Sequence, residues 1–211
     1  MALRLITTPA TDDFKSAFYA NGVYLIGGRT GEILRSTDAE SWTIVKDIPN
    51  TIHDIGHLGD VFFLWRSTTS DASMHSTDDG LTWTASPNSD FGPIINSAVS
   101  DSKVMAVGRT SRIVESTNGV DWTQIFTTVA GMEDIAYGLG LWVTVGNTDT
   151  YFWSDDDGAT WTKNTQLTGL RRAIHFNGTR FLTATHFSDD GKNWTAYDSA
   201  PASTGAVWAI S

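Results

Sequence analysis

Five arginines stand where side chains could converge on one anionic group. Arg29, Arg66 and Arg109 close apolar runs at comparable places, and Arg171 and Arg172 follow in a later loop. Guanidinium forks match carboxylates and sulfates bidentately, so the set reads as a candidate ligand face. The plainer reading pairs each arginine with a nearby acid such as Glu32 or Asp71, and exposed pairs of that kind contribute little. Trp65 and Trp153 lie near strand ends, where they either stack a sugar or fill the core. Hydrolysis of a glycoside needs two facing carboxylates, and Asp54 and Glu133 are the acids nearest that face.

Other chemistry is thinner. His53 and His57 stand four apart, but in a stretch that reads as strand, where that spacing is not a helical face for a metal. Asp155, Asp156 and Asp157 are adjacent rather than alternate, so they point apart instead of forming a calcium loop. There is no cysteine, hence no thiol nucleophile, disulfide or thiolate ligand. Phosphate-binding and nucleophile-elbow motifs are missing too. No cofactor or metal is expected. The charge of −10, with no run rich in Lys or Arg, argues against nucleic acid as partner. Neither a signal peptide nor a membrane-spanning apolar run is read, which suggests retention in the cytoplasm without membrane insertion.

What positions these residues is a repeat. Ser76-Thr77-Asp78-Asp79-Gly80-Leu81-Thr82-Trp83-Thr84 recurs with serines at 36, 76, 116, 154 and 188, in steps of 40, 40, 38 and 34. The shared positions are Ser36, Asp38 and Trp42; Ser76, Asp78, Gly80 and Trp83; Ser116, Asn118, Gly119 and Trp122. They continue as Ser154, Asp156, Gly158 and Trp161, then Ser188, Asp190, Gly191 and Trp194. A period near forty with strand-like content marks a four-stranded propeller blade. The Asn21-Gly22 and Asn177-Gly178 pairs between apolar runs mark the first hairpin of a blade. The Ser and Asp side chains are suited to accept the amides of the third turn, glycine to supply positive φ, and tryptophan to pack on the next blade. The first copy lacks glycine and should be the most irregular.

These boxes resemble the Asp-box, or bacterial-neuraminidase repeat, over roughly residues 13–198. The resemblance implies an all-β, five-bladed propeller in which the box is a structural hairpin on the side away from the ligand face. The repeats run over about 13–50, 51–90, 91–130, 131–169 and 170–205 of a single domain. The terminal segments Leu3–Thr8 and Ala206–Ile210 read as strands that close the ring or form a reduced sixth blade. Sialidases of this family carry an aromatic-Arg-Ile-Pro motif, and Leu3-Arg4-Leu5-Ile6 lacks both its aromatic and its proline. The chain also resembles propeller proteins of phage particles. The expectation is a non-enzymatic virion protein, a capsid decoration or tail appendage, with other virion proteins or a symmetric assembly as partners and host glycans as candidate ligands. The alternatives are a sialidase-like enzyme or lectin, and a cellular interaction scaffold.

Overall fold

The computed structural model describes residues 8–10, 13–70, 72–146, 151–165, 167 and 173–198. Twenty strands form five antiparallel four-stranded sheets, each in sequence order. Blade 1 holds β1 (Phe14–Ala20), β2 (Val23–Gly28), β3 (Glu32–Ser36) and β4 (Thr43–Asp47). Blade 2 holds β5 (Ile52–Leu58), β6 (Val61–Arg66), β7 (Ser73–Ser76) and β8 (Thr84–Ala85). Blade 3 comprises β9 (Ile94–Val99), β10 (Val104–Gly108), β11 (Arg112–Ser116) and β12 (Thr123–Thr127). Blade 4 comprises β13 (Met132–Gly138), β14 (Leu141–Gly146), β15 (Tyr151–Ser154) and β16 (Thr162–Asn164). The shorter blade 5 has β17 (His175–Phe176), β18 (Phe181–Leu182), β19 (His186–Ser188) and β20 (Thr195–Ala196).

Each blade's first strand packs on the next blade's first strand, from β1 through β5, β9 and β13 to β17. These strands therefore line the axis, and the fourth strands form the rim. The architecture is the five-bladed propeller that the repeat implied. Ring closure by the terminal segments falls on residues outside the described set, Thr8 apart.

Alternation along the strands fills the spaces between blades. Val23 and Leu25 of blade 1 meet Ile55, Phe62, Leu64 and Trp83 of blade 2. The same interlock joins Phe63 and Trp65 to Val104, Ala106 and Trp122, and Met105 and Val107 to Ile135, Trp142 and Phe152. Blade 1 presents the equivalent receiving face as an apolar groove of Ala17, Tyr19, Tyr24, Ile26 and Trp42. Its Tyr19 is 58 % exposed.

The boxes are fasteners. Ser76 Oγ accepts the Gly80 amide at 2.9 Å, and Asp78 Oδ1 accepts the Thr82 amide at 2.8 Å. Ser154 and Asp156 repeat both bonds to Gly158 and Thr160. Such amide and hydroxyl donors hold the carboxyls of Asp38, Asp78 and Asp156 below the usual carboxylate range. Glycine has a second reason that composition did not reveal: a Cβ on Gly80 would lie 2.8 Å from Leu25 of the preceding blade, and one on Gly191 would lie 2.2 Å from Leu141. The box turn thus leans on its neighbour.

The first box is not irregular, contrary to expectation. Ser36 Oγ accepts the Ala39 amide at 2.9 Å and Asp38 Oδ1 the Ser41 amide at 2.7 Å, the bonds Ser116 and Asn118 make in blade 3. They hold Ala39 at φ 59 where Gly119 stands at φ 74. The left-handed region costs alanine about 1–2 kcal/mol, and glycine's extra chain entropy offsets part of that. Ala39→Gly should therefore raise stability by about 0.5–1 kcal/mol in urea titrations.

Candidate functional site

The axial strands carry an irregularity that the sequence hides. Register shifts between Phe14 and Ser16, Ile52 and Asp54, and Met132 and Asp134 leave Lys15, His53 and Glu133 as bulge residues. In β9 the shift falls between the partners of Asn96 and Ile94. Bulges re-aim side chains, and the residue after each bulge is polar: Ser16, Asp54, Asn96 and Asp134.

These four occupy one structural position, opposite Gly27, Trp65, Val107 and Val145 on their partner strands. Three of them bridge to the next blade. Ser16 Oγ accepts the Ile55 amide at 3.0 Å. Asp54 Oδ2 takes the Ser97 hydroxyl, and the Ser97 amide also donates to this carboxyl. Asp134 Oδ2 accepts the Ile174 amide at 2.7 Å while its Oδ1 accepts Ile135 at 2.8 Å. Asn96 Oδ1 accepts the Ser97 amide within its own strand at 2.9 Å. Buried amides left unmet cost about 1–3 kcal/mol each, so this girdle is part of what holds blades together.

Burial pushes Asp54 up to about 7, against the lowering effect of its Ser97, Ile55 and backbone donors. It pushes Asp134 up to about 8, against the Ile174 and Ile135 amides and with help from the charges of Asp54 and Glu133. A cavity of about 360 Å³ runs beside them, lined on β9, β13 and β17 by residues including Asn96, Asp134, Tyr137 and His175.

At the end of the axis where the inner strands begin, the bulge residues form a charged mouth. Arg109 Nε lies 3.3 Å from Glu133 Oε1, with its second amine 3.4 Å from Oε2. The Glu133 side chain is 3 % exposed while that of Arg109 is 59 % exposed. His53 is held below its ordinary value, first by burial and then by the charges of Lys15 and Arg109, with Glu133 opposing. Antiparallel strands place this mouth at the end bearing the β2–β3, β6–β7 and β10–β11 turns, opposite the boxes.

The nominated site residues separate accordingly. Arg109 belongs to the mouth, paired with Glu133 rather than with a local acid. Arg29, just past β2, and Arg66, the last residue of β6, lie at the same end. Arg171 and Arg172 lie outside the described residues. Trp65 is no ligand platform: it is fully buried, with its ring 4.5 Å from that of Trp122. Trp153 has Lys192 Nζ 4.2 Å above its ring. Asp155 pairs with Lys192, Asp156 with Ser154 and Thr160, and Asp157 with Lys103, so the three adjacent acids do point apart. Sequence reasoning missed Asp134 and the shared position of Ser16, Asp54 and Asn96. Their common signal was a polar residue placed at the third position of an otherwise apolar inner strand.

No protein-family model matches the chain, and no curated protein does. Among solved structures the chain is similar to YCF48 bound to D1 peptide, with a TM-score of 0.70 and 18% identity over 93% of this chain and 71% of that one. It is also similar to a chain of the nidogen–laminin complex, with TM-score 0.64 and 12% identity over 84% and 72% of the two chains. YCF48 from Cyanidioschyzon merolae gives TM-score 0.60 and 12% identity over 92% and 87%. At these identities the likeness is one of fold.

Proposed function

We propose that this chain is a non-enzymatic binding protein that engages a partner protein on the end bearing the charged mouth. The observation that carries this reading is the Arg109–Glu133 pair. A buried carboxylate holds an exposed guanidinium in place, beside His53 and Lys15, at the opening of the axial cavity. A partly desolvated, pre-positioned arginine is a recurrent anchor of protein interfaces. Support also comes from similar propellers whose structures hold a peptide or a protein partner.

The axial carboxyls favour binding over hydrolysis. Asp54 and Asp134 spend their oxygens on hydrogen bonds that bridge blades, whereas a glycosidase needs its acids free to face substrate. The setting we propose is a virus particle, as the resemblance of the boxes to phage propellers suggests, with the partner another particle protein.

Mass spectrometry and electron microscopy of purified particles test the setting. Stoichiometric, symmetry-related copies are expected, and recovery only from uninfected cell cytosol would exclude it. Arg109→Glu reverses charge beside Glu133 at an exposed site. It should reduce incorporation into particles at least tenfold while thermal unfolding changes little; normal incorporation would exclude this face.

A further inference from the structure

We propose that Asp54 and Asp134 are proton-held latches: as neutral carboxyls they tie blade 2 to blade 3 and blade 4 to blade 5, and their ionisation loosens those joints around the axial cavity. The geometry carries this in three steps. Each carboxyl reaches from its own inner strand to the neighbouring one, Asp54 to Ser97 of β9 and Asp134 to the Ile174 amide just before β17. The same structural position in the other two blades is filled by Ser16 and Asn96, which are neutral and make the same kind of acceptor contact. The site therefore asks for a hydrogen-bond acceptor and not for a negative charge. No cation is paired with either carboxyl among the described contacts. The Arg109 guanidinium is spent on Glu133, so nothing on the page compensates two buried charges facing one axis.

The groups around the pair sharpen the point. From β5 comes His53, from β13 Glu133, and from the β10–β11 turn Arg109; β1 contributes Lys15 and β17 His175, while β9 offers only Asn96 and Ser97. The charges of Asp54 and Glu133 both disfavour ionisation of Asp134. The serine hydroxyl beside Asp54 can accept a proton from the neutral acid as readily as donate to its anion.

The sign follows from linkage. Both groups have folded-state values, about 7 and about 8, above the unfolded carboxyl near 3.8. Their contribution is complete below that unfolded value and is lost as pH rises through the folded ones. The chain should be less stable at pH 9 than at pH 5.5, because ionisation is easier in the unfolded chain.

The test is thermal unfolding of the full chain across pH 5.5–9, beside the double variant Asp54→Asn, Asp134→Asn. Asn96 shows that the position accepts asparagine. The wild type is expected to lose about 5–10 °C over this range that the variant retains. Equal profiles in the two proteins would overturn the proposal. Carboxyl carbon NMR of the aspartate-labelled wild type decides independently, and does so even if the variant fails to fold. Inflections for these two residues at neutral or alkaline pH are expected, and inflections near pH 4 would overturn it.

Discussion

Gly31→Ala is expected to abolish folding, or to cost well over 4 kcal/mol by the combined sterics and strain. Gly31 sits at φ +112, and an added Cβ would lie 1.6 Å from the Ile48 carbonyl oxygen and 2.8 Å from its carbon. Both atoms are backbone, so no rotamer change relieves the overlap. The contact is also a joint of the blade, since the Ile48 amide donates to the Gly31 carbonyl at 3.1 Å. Gly22→Ala is the control. Gly22 also has positive φ, at +77, but nothing lies within 4 Å of its Cβ position. That change should cost only about 1–2 kcal/mol. Soluble expression and urea midpoints separate the two, and a Gly31→Ala protein as stable as Gly22→Ala would show that the blade 1 joint is looser than described.

Trp65→Ala should lower stability by about 3–5 kcal/mol, the range for emptying a large aromatic from a packed core. Trp65 is covered by the blade 2–blade 3 interface, where Trp122 meets its ring at 63° and Phe63 lies 5.4 Å from the same Trp122. The space left would adjoin Trp122 and Ala106, which cannot both move in. A fall in melting temperature of roughly 10 °C is expected, at about 2–4 °C per kcal/mol for a chain of this size. A surface sugar platform would behave in the opposite way, losing glycan binding with unchanged melting.

The two cases show what the sequence exposes and what it conceals. The blades were legible because each ends in a box whose residue types have local jobs: Ser36 and Asp38 bond amides within a few residues, and Trp83 follows directly. The Asn21-Gly22 turn was legible for the same reason, its φ values of 51 and 77 being a local demand. The burial of Trp65 was not settled, because strand alternation assigns a residue to a face without saying what covers it. Glycine in the box was credited to turn geometry, yet its approach to Leu25 or Leu141 depends on another blade some forty residues away.

The axial set was hidden for a further reason. A bulge breaks the period of two just before Asp54 and Asp134, so the alternation that finds core residues misplaces them. Asp54 and Glu133 were the acids that residue type brought forward as a facing pair. The structure divides them, giving Asp54 to a blade joint and Glu133 to Arg109. Four different residue types at one position, Ser16, Asp54, Asn96 and Asp134, share a role as acceptors rather than a chemistry. Chain order alone offers no way to see that.

The account divides the molecule into a box end that fastens and a mouth end that binds. Hydroxyl-radical footprinting of the chain in purified particles, against the free chain, tests that division directly. Protection is expected around Lys15, His53 and the β10–β11 turn, with Leu81 and Leu139 at the box end as accessible as in the free protein. Protection of Leu81 and Leu139 with an unchanged mouth would contradict it.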